Sequence, residues 1–456
     1  MALRDAISAS VARGGAPLFW RLWRIDRAMR RKLTPAGWLV ASVLVASAVF
    51  GLNTKESLVY QVFGLALGLL VVAMLASLRF RGDVAVKRSL PQVATAGVAF
   101  DYTLTVSNSG SRAYERIVID DILEAKRPPK SEFVAYKVSE DRTRNFFDRL
   151  VGYPRWVSLM RRKTGARMES VVVEDLAAKS SRDIRVRCVP VRRGELRFDR
   201  VAVGRVEPLG LMRANRMQPL RESLVVMPRT YPVAPLQLAG SRRLQPGGIA
   251  FAGHVGDAEE FVSLRDFRAG DTPRRIHWKA WARTGRLVVK EYQDEFFVRH
   301  ALILDTFPPG DGARFEDAVS LAASLAMMPR SNESLLDLMF VEGRAYTVTQ
   351  GRGLGAAIDL LRVLATVTPS RGSFDALAEA AMLGASRISG AICVFLAWDE
   401  ARRRLAANLR ARGIPLRVWI VREEEGAPLD LGPMASDPRN FREVAPGTLE
   451  QELLKP

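Results

Sequence analysis

His277 is the side chain of this sequence best suited to move a proton near neutral pH, because imidazole titrates there. It stands in the run Ile276-His277-Trp278-Lys279-Ala280-Trp281-Ala282-Arg283. The other histidines, His254 and His300, are distant in sequence, and the two cysteines, Cys188 and Cys393, are far apart. No His-Glu-x-x-His or Cys-rich spacing that would hold zinc occurs. A single histidine among tryptophans and arginines is more often a packed or rim residue than a catalyst. Asp305 and Asp399 are the other candidates, each at the end of an apolar run that reads as a strand. Carboxylates so placed can ligate a hard cation such as Mg2+ if further oxygens cluster beside them. A metal-dependent hydrolase would need Asp305, Asp399 and His277 to converge. The chain carries no Gly-x-x-x-x-Gly-Lys-[Ser/Thr] phosphate loop and no Gly-x-Ser-x-Gly elbow. Gly351-Arg352-Gly353-Leu354-Gly355 is glycine-rich but lacks a paired ribose-binding acid, so it is a weak dinucleotide motif.

The charges around His277 balance. Eight basic residues (Arg265, Arg268, Arg274, Arg275, Lys279, Arg283, Arg286, Lys290) face eight acids (Asp257, Glu259, Glu260, Asp266, Asp271, Glu291, Asp294, Glu295). Such balance favours internal ion pairing over a phosphate-binding patch. The alternative is a docking surface, where Arg and Trp are favoured anchors. Locally, Asp271 suits a helix N-cap, Pro273 the first turn and Gly285 the residue just past the end. These signals predict a helix over 272–283 and a strand over 286–292. The candidate interaction residues are Arg265, Asp266, Gly270, Asp271, Arg274, His277, Trp278, Lys279 and Arg283.

What positions this block is a chain of 456 residues with 68 Lys+Arg, 49 Asp+Glu and a net charge of +19. Residues 1–81 hold eleven basic residues and three acids, and eight of the eleven precede residue 33. This basic N-terminal segment, 1–32, leads into uncharged runs at 35–52 and 57–78, divided by Asn53-Thr54-Lys55-Glu56. A helix needs ~20 apolar residues to cross the hydrocarbon core, so 33–80 reads as a transmembrane helical hairpin rich in small residues that let two helices pack closely. Arg79, Arg81, Lys87 and Arg88 follow the second run, and the positive-inside rule then places both termini in the cytoplasm, on the inner membrane. The stretch 19–25, Phe-Trp-Arg-Leu-Trp-Arg-Ile, is read either as a basic flank with Trp at headgroup level or as a short amphipathic helix on anionic lipid. Nucleic-acid binding is not expected, since no basic run of the soluble part is free of neighbouring acids.

Residues 82–230 alternate apolar and polar side chains in short runs separated by turn signals, the pattern of an immunoglobulin-like β-sandwich. Strands are predicted at 100–108, 114–120, 169–174, 183–189, 196–203 and 223–227. An insertion at 126–167, with Phe146, Phe147, Leu150, Trp156, Leu159 and Met160 among basic residues, breaks the spacing. It reads as helices packed on the sandwich, or as a surface apposed to a membrane or partner. After the block at 253–295, residues 296–422 alternate strand and helix, which predicts a doubly wound α/β sheet. The tail, 423–456, is polar and reads as loop with a terminal helix.

The run Gly270-Asp271-x-x-Arg274-x-Ile276-His277-Trp278-Lys279-Ala280-x-Ala282-Arg283-Thr284-Gly285-x-Leu287-x-Val289-Lys290 resembles the signature of the family known as domain of unknown function 58. Glu260-Phe261 and Leu264-Arg265-Asp266-Phe267 resemble its approach to that signature, and Arg192-Arg193-Gly194-Glu195-Leu196 and Glu207-Pro208-Leu209-Gly210-Leu211-Met212 its sandwich segment. In the last of these, Glu207 and Leu209 depart mildly from the usual Asp-Pro-Phe-Gly-Leu turn. The resemblance implies a membrane-anchored protein whose C-terminal domain is von Willebrand factor A-like. It also implies a MoxR-type AAA+ ATPase partner and a role in assembly or maturation of other proteins, as scaffold or adaptor rather than enzyme. Domains of the A type often hold a divalent ion through Asp-x-Ser-x-Ser. Here Asp305-Thr306-Phe307-Pro308-Pro309 lacks both serines, so Asp305 and Asp399 are weak metal candidates and Mg2+ is only an option. A homo-oligomer is left open.

Overall fold

The structure is a computed structural model that describes residues 2–50, 57–78, 82–136, 152–234, 260–271, 273–293, 298–308, 313–328, 334–350, 354–422 and 429–455. It divides into two units, residues 1–229 with 364–366 and residues 230–363 with 367–456.

The first unit begins with α1 (Ala2–Lys32), one continuous helix of 31 residues. Leu33 and Thr34 separate it from α2 (Pro35–Phe50), and α3 (Ser57–Ser77) runs beside α2. Neither α2 nor α3 contains a charged residue. Two spanning runs were expected, but among the described residues only Leu58–Ser77 is long and apolar enough to cross a membrane. The 16 described residues of α2 rise about 24 Å at ~1.5 Å each, and the uncharged run continues to Leu52, outside the described residues. Its start is fixed by Pro35, which suits a first helical turn, and by a bridge between Leu33 and Met212 that draws the preceding backbone away.

The insertion forms α4 (Lys130–Ala135) and α5 (Tyr153–Thr164). Phe133, Trp156, Leu159 and Met160 are buried in one cluster with Ala16 and Phe19 of α1. The insertion is thus a helical cap that packs on the N-terminal helix as well as beside the sheets. Phe146, Phe147 and Leu150 lie outside the described residues.

Nine strands follow the alternation of the sequence. One sheet has the order β1 (Val84–Ser89), β3 (Phe100–Asn108), β7 (Ser181–Pro190), β5 (Ala166–Met168). The other runs β2 (Val93–Thr95), β9 (Arg213–Met227), β8 (Gly194–Val206), β4 (Ile117–Leu123), β6 (Val171–Val173). Tyr102, Leu104 and Val106, every second residue of β3, join Ile117, Ile119, Phe198, Val201 and Val203 of the other sheet in a single core. Arg88, read from sequence as a charge flanking the membrane, is instead inside this unit. Its Nε and Nη2 donate to the two oxygens of Asp121 at 2.8 and 2.6 Å, and the Tyr102 hydroxyl donates to the same carboxylate at 2.7 Å. The alternation of β1 puts Val84, Val86 and Arg88 on the buried face and Lys87 outside.

In the second unit β10 (Glu260–Asp266) pairs antiparallel with β11 (Val288–Gln293), and α6 (Trp278–Thr284) lies between them in sequence. A six-stranded sheet has the order β14 (Arg344–Gln350), β13 (Ser334–Glu342), β12 (Val298–Leu304), β15 (Gly390–Phe395), β16 (Leu416–Val421), β17 (Phe441–Val444). All neighbours are parallel except β14, which returns antiparallel along β13. The helices are α7 (Ala313–Met327), α8 (Leu354–Thr366), α9 (Asp375–Gly384), α10 (Glu400–Ala411) and α11 (Leu449–Leu454). Ala301, Ile303, Cys393, Phe395, Val418 and Ile420 pack under α9 and α10, while α7 packs against β12, β15 and β16. Leu302, Leu304, Ile392 and Val394 are equally buried, so the central strands are covered on both faces and read as continuous apolar runs. The chain is therefore a mixed α/β, multidomain protein with several sheets and one apolar helix of membrane-spanning length among its described residues.

Candidate functional site

The order of the six-stranded sheet reverses between β12 and β15, and open α/β sheets bind ligands at that crevice beyond the strand ends. Asp305 follows β12 there, fully buried. Its Oδ1 accepts from the Phe307 N–H at 2.9 Å and its Oδ2 from the Leu396 N–H at 3.0 Å. The Arg402 guanidinium adds Nε and Nη2 to Oδ2, at 3.0 and 2.8 Å. Asp399 caps α10 through the Arg402 N–H at 3.1 Å and accepts Arg402 Nη1 at 2.5 Å. Arg402 also donates to the Phe307 carbonyl at 3.2 Å and lies 4.4 Å over the Phe374 ring. The two aspartates therefore meet around a guanidinium. Burial pushes the Asp305 carboxyl up, while Arg402 and the two backbone N–H groups favour its anion. The strand ends are also joined by hydroxyls, with Thr306 and Ser370 both donating to the Val341 carbonyl, at 2.7 and 2.6 Å.

These residues do not fit a divalent ion. Both Asp305 oxygens are already engaged, residues 307 and 309 are Phe and Pro, and the positive charge is supplied by Arg402. Among the described residues, no group of three or more His, Cys, Asp or Glu could hold a metal. His277 belongs to a different element, and its Nδ1 is used in capping.

In the signature block, Arg265 Nη1 and Nη2 donate to the two oxygens of Asp271 at 2.8 and 2.6 Å, and the Arg268 N–H adds a third bond at 2.8 Å. The side-chain bond from Arg265 and the backbone bond from Arg268 hold the Asp271 carboxyl down at about 2. Asp271 therefore closes the turn after β10, whose chain reverses at Gly270 with φ +109°. The helix expected over 272–283 is divided. Pro273–Arg275 form a single tight turn, Ile276 pairs with Val289, and the His277 N–H donates to the Val288 carbonyl at 2.8 Å. This bridge to β11 buries Ile276 and delays the helix to Trp278. His277 is then the cap, its Nδ1 accepting from the Ala280 N–H at 2.9 Å. Gly285, with φ +67°, ends α6 as its sequence position predicts.

This frame leaves large side chains outside. Trp278 and Trp281 are 56% and 44% exposed, with ring centroids 5.9 Å apart. Leu264, Phe267 and Leu287 are exposed in the same block, as are Arg274, Lys279 and Arg283. Asp266 is paired through its backbone with Val288. Sequence reasoning missed Arg402 entirely. The available signal was Arg402-Arg403 in the first turn of a helix, where the dipole disfavours cations and an arginine needs a carboxylate to hold it.

Residues 263–428 match the model of a family described as protein of unknown function DUF58, the family whose signature residues 270–290 resemble. No curated protein matches the chain. Three solved structures show faint likeness. Proximal thread matrix protein 1 from the mussel byssus is 13% identical with a TM-score of 0.27, over 34% of this chain and 44% of that one, under half its length. An ASH/PapD-like domain of human CEP192 is 12% identical with a TM-score of 0.18, over 32% of this chain and 86% of that one. An aerotolerance-related membrane protein from Bacteroides fragilis NCTC 9343 is 12% identical with a TM-score of 0.22, over 34% of this chain and 94% of that one. None of the three is close enough to argue from.

Proposed function

We propose that this chain is a membrane-anchored, cytoplasm-facing scaffold or adaptor that engages a MoxR-type AAA+ ATPase in the assembly or maturation of protein complexes. The observation that carries the reading is the signature block. Its backbone is fixed by the Arg265–Asp271 pair, the Ile276–Val289 bridge and the His277 cap, yet Trp278 and Trp281 stand largely in solvent beside Arg274, Lys279 and Arg283. Rigid aromatic side chains with adjacent arginines are the residues that anchor protein interfaces. The groups that would serve an enzyme are committed elsewhere: His277 Nδ1 to a cap, Asp305 and Asp399 to Arg402.

In this reading α2 and α3 form a two-helix hairpin in the inner membrane with both termini cytoplasmic. The two-layered β unit is an immunoglobulin-like sandwich. The six-stranded domain is von Willebrand factor A-like, its order of first, second and antiparallel third strand supporting that view, with Arg402 in place of the metal. The test is purification of the detergent-solubilised chain with ATP or ADP, read by mass spectrometry. One AAA+ ATPase should be retained in a nucleotide-dependent way, and Trp278→Ala with Trp281→Ala should release it. Retention of no such ATPase in either state overturns the proposal.

A further inference from the structure

Leu18, Leu22, Ile25 and Met29 recur at i, i+4, i+7 and i+11 of α1 and are 55%, 42%, 55% and 38% exposed. That spacing is one face of a helix. It is a different face from the one that carries Ala16 and Phe19 into the cluster with α4 and α5. The aromatic residues are thus turned from where the sequence suggested. Phe19 is buried against Phe133 and Trp156, Trp20 and Trp23 stack on each other at 5.4 Å and are half-buried, and the outward face is aliphatic. Arg21 and Lys32, both exposed, border it on one side; Asp26, paired with Arg30 at 2.9 Å, borders it on the other, and the exposed Arg24 lies further round the helix towards water.

We infer that this face of α1 is a membrane-interface surface, its occupant the headgroup–acyl boundary of an anionic bilayer. The inference rests on the membrane-anchored reading and extends it from the apolar helices to the N-terminal one. Two observations commit it to lipid. The stripe ends just before Leu33 and Thr34, beyond which α2 presents Leu39, Val45 and Val49 to its surroundings, so one apolar surface follows another along the chain. One edge is cationic, through Arg21 and Lys32, and the single acid on the other, Asp26, is neutralised by Arg30; the net positive border suits anionic headgroups, with stems long enough to lie along the apolar boundary while their heads remain in water. A second copy fits less well, because a self-complementary contact through this face would bring the Arg21 and Lys32 edge against its own kind. The structure then places α1 between the lipid and the helical cap of α4 and α5.

The test uses the full chain in vesicles of phosphatidylcholine with phosphatidylglycerol, carrying single nitroxide labels at Leu22→Cys, Ile25→Cys, Arg24→Cys or Leu65→Cys. The native thiols do not interfere, since Cys188 and Cys393 are fully buried and burial pushes each up to about 12. Labels at 22 and 25 should be several-fold more accessible to oxygen than to a water-soluble nickel chelate, and the label at 24 the reverse. In pure phosphatidylcholine the ratio at 22 and 25 should fall several-fold; an unchanged ratio refutes the part played by charge. Labels at 22 and 25 as wet as 24, with 65 in lipid, overturn the inference and leave the anchor standing. If 65 is also wet, the anchor fails with it. Spin coupling between copies at 22 or 25, with protection from both reagents, overturns the inference in favour of a second chain.

Discussion

Replacing Arg402 by Met keeps the aliphatic stem over Phe374 but removes the charge that Asp305 faces. The Asp305 side chain is fully buried and that of Arg402 is 7% exposed, whereas Asp399 is 51% exposed. Breaking a buried pair by deleting one partner costs about 3–5 kcal/mol, because the other charge is left in a low-dielectric interior. The Asp399 contact, half in water, adds about 0–1 kcal/mol. A loss near 4 kcal/mol corresponds to roughly a thousandfold change in an opening equilibrium, at ~1.4 kcal/mol per factor of ten. Hydrogen exchange on the full chain in detergent reads this at the Leu396 amide and the β12 and β15 amides. Exchange there should accelerate about a thousandfold in Arg402→Met and less than about tenfold in Asp399→Asn. The double variant Asp305→Asn with Arg402→Met should exchange more slowly than Arg402→Met alone, since the stranded charge is gone. Added Mg2+ should not slow exchange in the unaltered chain. If Arg402→Met behaves like Asp399→Asn, the guanidinium does not neutralise Asp305 and the reasoning is wrong.

Arg88→Met should destabilise the two-layered β unit by about 3–5 kcal/mol, and Arg88→Met with Asp121→Leu by much less; a denaturant double-mutant cycle with equal single and double losses would exclude a coupled buried pair. Gly37→Ala should strain the start of α2, because its Cβ would meet the Leu211 carbonyl oxygen at 2.0 Å, a backbone atom that cannot swing aside; the expected loss is about 1–3 kcal/mol, visible as faster exchange at residues 207–212. The Asp271 carboxyl sits at about 2, below its ordinary 3.8, so its stabilisation of the turn is complete above the unfolded value and is lost as pH falls through the folded one. The Arg268 amide resonance should titrate with a midpoint near 2 and lose that titration in Asp271→Asn; a midpoint near 4 would refute the ion pair.

The elements that the sequence disclosed best were those whose environment is set by their own side chains. Strand β16 (Leu416–Val421) is buried throughout and reads as an apolar run; β3 alternates and reads as a half-covered strand. Strand β17 reads as tail from the sequence, because only Phe441 and Val444 turn inward and Arg442 and Glu443 interrupt them. Strand β1 was hidden by Lys87-Arg88, a pair that looks like a membrane flank until the buried Asp121 is known. In the signature block the local signals for a helix start at Asp271 were sound for an isolated segment. They lost to a bridge between Ile276 and Val289, thirteen residues apart, which no local rule sees. The site at the sheet top was half legible. Asp305 and Asp399 were found from their strand-end positions, but the partner that joins them comes from a helix face and declares itself only through an arginine placed against the helix dipole.

The start of α2 is built into the β unit. Thr34 accepts the Gly37 N–H at 3.0 Å as an N-cap and donates its own hydroxyl to the Gly210 and Leu211 carbonyls at 2.5 and 3.1 Å, while its N–H reaches the Leu211 carbonyl at 3.0 Å. The receiving turn is stiffened in its turn by Glu207, whose carboxylate accepts the Leu211 and Met212 N–H groups at 2.7 and 3.1 Å. No slack chain separates the apolar helix from β8 and β9. Mechanically the pair is a lever with a welded joint: a tug on the β8–β9 turn is delivered to α2 as torque within one residue, and a tilt of α2 is returned to the strands as rotation. A tether would let the two move independently, and this joint makes the orientation of one a readout of the other.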